Sequence, residues 1–141
     1  MAAIFTVYGS VIRVAGGKLS DRHGGELVAT LSFMGMALGA VLLSLSSWAP
    51  LAFVGMMVLA SGMGIANAAV FELVPKYVPD AVGGASGWIG GVGGAGTLLI
   101  LPLLGAIVDL YGVSGYASGF WVYVVLSLVC AWVIDRLRVR P

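Results

Sequence analysis

Residues 27–71 read LVATLSFMGMALGAVLLSLSSWAPLAFVGMMVLASGMGIANAAVF, a run of 45 positions without a charged side chain. A helix needs about 20 apolar residues to cross the hydrocarbon core of a bilayer, so the run is too long for one crossing and suffices for two. Two serines, a tryptophan and a proline interrupt it at residues 46–50, where the composition is typical of an interfacial turn. The run therefore predicts two transmembrane helices joined by a short turn.

The composition of the whole chain agrees with this interpretation. The 141 residues are 60% hydrophobic and 9% charged, whereas soluble domains carry about 25% charged residues. The net charge of +1 gives no basic stripe for nucleic acid. With one cysteine and one histidine, no disulfide framework, metal site or other cofactor is predicted. The sequence also lacks a nucleophile–base pair, paired carboxylates and a phosphate loop, so an integral membrane protein is predicted and an enzyme is not.

The distribution of charged residues predicts an all-α membrane fold with five transmembrane helices. The first stretch contains Arg13 and has no basic segment before its apolar part, which argues against a signal peptide. It also barely spans a bilayer, so we expect a longer N-terminus in the intact protein. The predicted helices cover residues 1–17, 27–46, 51–73, 82–108 and 116–134 of a partial C-terminal transmembrane domain, residues 1–141.

Apart from Arg13, basic residues occur only in alternate connections and in the C-terminal tail. The turns at residues 46–50 and 109–115 contain none. Because cytoplasmic connections carry the excess of Lys and Arg, this pattern predicts an outside N-terminus and an inside C-terminus. Ser47 and Ser114 are then outside. The residues predicted to be inside are Lys18, Arg22, Lys76, Arg136, Arg138 and Arg140.

Arg13 and Asn67 are the candidate ligand-binding side chains. A charge within a span costs at least about 2.5 kcal/mol on insertion scales, so a compensating interaction is needed. Small residues around Arg13 leave space for an anion, which a guanidinium holds by two parallel hydrogen bonds. The alternatives are an Arg13 that snorkels to headgroups or forms a structural pair. Asn67 is expected to be a buried amide that either orients a polar ligand or bridges two helices.

Residues 16–25, GGKLSDRHGG, are predicted to form a tight inside loop. Asp21 is suited to accept hydrogen bonds from the free N–H groups of a helix N-terminus. Arg22 is predicted to pair with Glu72 at the inside end of the third helix, because an unpaired charge is costly there. The alternative is a solvated, charged hairpin.

The fourth predicted helix is rich in glycine. Such a stripe of small residues lets another helix, or a substrate, approach the backbone closely. Further glycines lie off the stripe, which is typical of a helix that slides or bends. The alternative interpretation is that the glycines serve helix packing alone. The stripe comprises Gly83, Gly87, Gly90, Gly94 and Gly105, of which Gly87, Gly90 and Gly94 are candidate substrate-binding positions.

Residues 16–25 resemble the inside-loop signature of major facilitator superfamily transporters, which follows the second and the eighth helix of that fold. With the loop after the first of five helices, the chain resembles helices eight to twelve. Two further segments are similar to nitrate/nitrite porters. Residues 66–75, ANAAVFELVP, resemble their tenth helix, and residues 83–96, GGASGWIGGVGGAG, resemble a glycine-rich signature on their eleventh.

This resemblance implies a multi-pass protein of the cell (inner) membrane that moves nitrate or nitrite by alternating access. Arg13 stands where that family has an anion-binding Arg. The other half of the transporter would supply a second Arg, an Asn and aromatic side chains, and Asp21 would cap a helix of that half. The residues that match the gating motif are Gly17, Asp21, Arg22, Gly24, Gly25 and Glu72.

The sequence also departs from the porters. Thr97, Leu98 and Leu99 follow the glycine-rich segment, where the family has aromatic residues and proline, and Ala66 and Ala68 replace common glycines. Transport of another small anion therefore stays open. A non-transporting membrane remnant is a further alternative. The expected partners are a small anion, the lipid bilayer and the N-terminal transporter half, with no nucleic acid.

Overall fold

The computed structural model of the chain describes residues 2–112 and 114–138, over which the backbone forms five α-helices and one 3-10 turn. Met1 and Arg140, which belong to the predicted first helix and the predicted inside tail, lie outside these residues. The prediction of an all-helical chain with five helices is confirmed. The helices are α1 (Ala2–His23), α2 (Gly25–Leu45), α3 (Ala49–Tyr77), α4 (Val82–Tyr111) and α5 (Ser114–Arg138), with the 3-10 turn at Pro79–Ala81.

Four of the five predicted spans have a helix of suitable length and composition. The stretches that are long and apolar enough to cross a membrane are Gly25–Leu45, Ala49–Tyr77, Pro79–Tyr111 and Ala117–Arg138. The first helix, α1, is not among the helices that are apolar enough to cross a membrane. Two of its basic side chains, Arg13 and Lys18, lie within its length.

The first helix ends later than the sequence predicts. It continues through residues 16–23, and the chain turns at Gly24, which has a φ of 87°. Only glycine adopts this left-handed backbone without strain. The prediction of a loop over residues 16–25 is therefore wrong. Gly16 is instead required by helix packing, since a Cβ built there would lie 2.7 Å from Cα of Ile65.

Close backbone contact joins α2 and α3 into an antiparallel hairpin. A Cβ built at Gly39 would lie 2.6 Å from the backbone nitrogen of Leu59, and one built at Gly62 would lie 2.8 Å from the carbonyl oxygen of Ser32. Small residues at such positions let membrane helices approach each other closely. Two buried clusters add α5 to this pair. They comprise Val28, Ala29, Ala69 and Ile134, and Ala37, Ala40, Leu59 and Val124.

The fourth helix is attached mainly at its C-terminal end. A Cβ built at Gly115 of α5 would lie 2.6 Å from the carbonyl oxygen of Ile107, and one at Gly119 would lie 2.7 Å from Cδ2 of Leu104. In contrast, a Cβ built on any glycine of residues 83–96 would meet no other described helix within 4 Å. The glycine-rich half of α4 is thus uncovered by the other described helices.

Candidate functional site

Arg13 lies on α1 with its guanidinium over an aromatic ring of α3. Its Cζ atom is 5.5 Å from the centroid of the Phe71 ring. A cation at this distance is attracted by the quadrupole of the ring. Within residues 2–112 and 114–138, the ion pair that forms joins Lys76 to Glu26, so no described carboxylate neutralises Arg13. The side chain is exposed, so its N–H donors are accessible to another group.

The position of Arg13 is set by backbone packing between α1 and α3. A Cβ built at Gly64 would lie 2.6 Å from the carbonyl oxygen of Gly9 and 3.2 Å from the backbone nitrogen of Arg13. Directly before Gly9, the hydroxyl of Tyr8 forms a hydrogen bond of 2.9 Å with the hydroxyl of Ser61. The two helices therefore touch directly at the level of Arg13.

Asn67 lies on the same helix and the same side as Phe71. The two residues are four positions apart, so their side chains are neighbours on the surface of α3. Asn67 is exposed, and the prediction of a buried amide is wrong. Its small neighbours Ala66 and Ala69 are the buried residues of this turn, which leaves Asn67 on the uncovered side. We refer to Arg13, Asn67 and Phe71 as the Arg13 cluster.

The structure does not bring the glycines of α4 to this cluster. Gly87, Gly90 and Gly94 are exposed, and among the described residues nothing approaches a Cβ built at these positions within 4 Å. Their assignment as substrate-binding residues stays a prediction.

Near the C-terminal end of α1, the hydroxyl of Ser20 donates a hydrogen bond to the carboxylate of Glu72 on α3. The predicted pairing of Glu72 with Arg22 is wrong in the described part of the chain. Because α1 is still helical here, Arg22 lies about 200° around the helix from Ser20 and faces away from α3. The guanidinium of Arg22 is accordingly exposed.

A second polar contact joins the start of α2 to the end of α3. The carboxylate of Glu26, 8% exposed, forms an ion pair with Lys76 and accepts a hydrogen bond of 3.0 Å from the hydroxyl of Tyr77. Glu26 is in the first turn of α2, where the helix dipole favours an acidic side chain. Sequence reasoning missed this contact, although Glu26 and Lys76 are charges at the two ends of the same predicted hairpin.

The remaining residues of the predicted gating motif lie at the α1–α2 junction. Asp21 and Gly24 are exposed, and Gly17 is half-buried with nothing within 4 Å of a Cβ built on it. Gly25 is buried, and a Cβ there would lie 2.7 Å from Cδ2 of Leu73. No side chain caps the N-terminus of α2, so Asp21 does not cap the helix next to it.

Several curated proteins are similar to most of the chain. The probable nitrate transporter NarT of Staphylococcus aureus strain JH9 is 30% identical over 119 residues, which are 84% of this chain and 31% of that protein. The probable nitrate transporter NarT of strain bovine RF122 / ET3-1 is 29% identical over 119 residues, again 84% of this chain and 31% of that protein. The chain thus spans about a third of the length of these relatives. No solved structure matches the chain significantly.

The model of one protein family, the Major Facilitator Superfamily, matches the chain over residues 1–141. The five helices and the four apolar spans of the described residues fit this family. The chain is therefore a multi-pass membrane protein that belongs to the Major Facilitator Superfamily, a family of transporters and not of enzymes.

Proposed function

We propose that this chain is part of a secondary transporter for nitrate or nitrite and that Arg13 binds the anion. The observation that carries the proposal is the guanidinium of Arg13, which lies over the ring of Phe71 and has no carboxylate partner among the described residues. The similarity to proteins named probable nitrate transporters supports the choice of anion.

The chemistry of the Arg13 cluster suits a small planar anion. A guanidinium presents parallel N–H donors in one plane, which match two coplanar oxygens of nitrate. Asn67 offers amide N–H donors beside Phe71 and can hold a further oxygen. An anion paired with Arg13 forms a neutral complex. The transfer of this complex out of water therefore costs less free energy than the transfer of a free ion.

In this proposal the chain corresponds to helices eight to twelve of the transporter and works with an N-terminal half. The share of 31% that it covers in its relatives fits a part of a longer transporter. The placement at helices eight to twelve rests on the resemblance of residues 16–25 to the inside-loop signature. The polar contacts at Ser20 and Glu26 tie α1, α2 and α3 together at one end, so these helices are suited to rock as one body around a central anion. The acidic residues lie near helix ends, which favours nitrate/nitrite exchange over proton symport.

Transport by the full-length protein that contains this chain tests the proposal. Reconstituted in vesicles, it is expected to take up labelled nitrate, and unlabelled nitrate and nitrite should compete more strongly than chloride or formate. Nitrite preloaded inside the vesicles should accelerate nitrate entry, as exchange requires. Competition by formate or chloride alone would reassign the substrate to another small anion. The absence of uptake for every anion would favour a non-transporting remnant.

The proposed orientation in the cell (inner) membrane is tested with single-cysteine variants after Cys130→Ser. The positive-inside rule puts Lys18 and Lys76 in the cytoplasm and Ser47 and Ser114 outside. Ser47→Cys is therefore expected to react with a membrane-impermeant maleimide in intact cells, whereas Lys18→Cys should react only after permeabilisation. Both side chains are exposed, so unequal burial does not explain a difference. Labelling of Lys76→Cys from outside intact cells would reverse the orientation.

A further inference from the structure

We infer that Phe71 is a positioning residue of the anion site: its ring fixes the guanidinium of Arg13 and directs the anion to the N–H edges of that group. This inference rests on the proposed function of Arg13. The contact is a tertiary one, since it joins α1 to α3. The other cation–ring contacts of the described residues, Arg136 with Trp132 and Lys76 with Tyr77, join residues within four positions of each other.

The packing around the contact restricts both partners. Backbone atoms of α1 and α3 meet at Gly64, where there is no room for a side chain between the helices. The ring of Phe71 is half-buried, so it has a limited choice of orientations. The backbone contact at Gly64 therefore fixes the separation of the two helices across which Arg13 reaches the ring of Phe71, with Cζ 5.5 Å from the ring centroid.

An aromatic ring holds a cation in a different way from a carboxylate. A carboxylate neutralises the charge and occupies the N–H donors, as Glu26 does for Lys76 at the end of α3. The ring attracts the cation through its quadrupole and leaves the formal charge in place. Its face is electrostatically negative and repels an anion from that side. An anion that approaches Arg13 is thus directed to the N–H edges of the guanidinium and not to the face of the ring.

This role predicts a change in affinity that follows the electrostatics of the ring. We expect Phe71→Leu in the full-length transporter to raise the KM for nitrate by about 3- to 30-fold, the range of a cation–ring contact, with a much smaller change in kcat. Phe71→Tyr keeps the ring and should stay close to the wild type. Replacement of Phe71 by mono-, di- and trifluorinated phenylalanine weakens the quadrupole at nearly constant size, so the logarithm of KM should rise in steps with the number of fluorine atoms.

The matched control is Phe53→Leu, the same substitution on the same helix at a side chain that is 41% exposed. It should leave the KM for nitrate unchanged. A flat response to fluorination, or equal KM values for the two leucine variants, would overturn the positioning role of Phe71. Arg13→Lys separates this result from a failure of the proposed function. A loss of affinity in Arg13→Lys with a flat fluorine series rejects only the inference about Phe71, whereas a normal Arg13→Lys variant rejects the anion site itself.

Discussion

Replacement of Arg13 by lysine is expected to lower the affinity of the full-length transporter for nitrate by about 30- to 5,000-fold. This range corresponds to the 2–5 kcal/mol that the loss of one partner of a buried, charged hydrogen-bonded pair costs, which applies to Arg13 in the proposed transporter, where the N-terminal half covers its exposed side chain. Lysine keeps the positive charge but presents no planar pair of N–H donors to the anion. An ammonium is still attracted by an aromatic ring such as that of Phe71, so the expected loss comes from the missing donor geometry.

The measurement is the concentration dependence of labelled nitrate uptake in vesicles, at equal amounts of reconstituted protein. Arg136→Lys is a suitable control, because Arg136 also lies over an aromatic ring, that of Trp132, at the end of α5 and away from the Arg13 cluster. Its uptake should match that of the wild type. Near-normal uptake by Arg13→Lys would instead mean that Arg13 anchors α1 at the headgroups, since lysine snorkels equally well.

The second large effect is expected at the contact between α2 and α3. A methyl group added at Gly39 would lie 2.6 Å from the backbone nitrogen and 2.9 Å from Cα of Leu59. Backbone atoms have no alternative rotamer, so the two helices must separate. We expect Gly39→Ala to lower the free energy of unfolding by about 1–3 kcal/mol, as overpacking of a well-packed interior does.

Gly35, one turn earlier on α2, provides the matched control because a Cβ built there has nothing within 4 Å. Gly35→Ala should be neutral or up to about 1 kcal/mol more stable, since alanine is the better helix former. Unfolding of the purified full-length variants in mixed micelles measures both changes. Equal unfolding curves for Gly39→Ala and Gly35→Ala would show that the close contact of α2 and α3 does not limit stability.

The distribution of charges in the sequence was sufficient to predict most of the helices. The charge-free residues 27–71 do form α2 and α3, and the turn between them falls at residues 46–48, within the predicted segment. This success has a simple physical reason. A bilayer tolerates few charges and fixes the length of a span, so composition and helix length are directly related.

The errors arise where tertiary packing decides between two uses of one residue. Gly16 was interpreted as part of a turn, but its lack of a side chain serves the contact with Ile65 of α3. The longer α1 then brings Ser20, and not Arg22, to Glu72. Phe71 is one apolar residue among many in its helix, so the sequence does not distinguish it. Its role as the partner of Arg13 becomes visible only when α1 packs against α3.

The composition of α1 also has a consequence for how the protein is made. The later helices contain stretches that are apolar enough to leave the translocon for the lipid on their own, whereas α1 carries Arg13 and Lys18. The contacts that hold α1, at Ser61 and Gly64, belong to α3, which is synthesised later. We therefore expect stable insertion of α1 to depend on the arrival of α3, because the guanidinium lies over the ring only when that helix pair assembles.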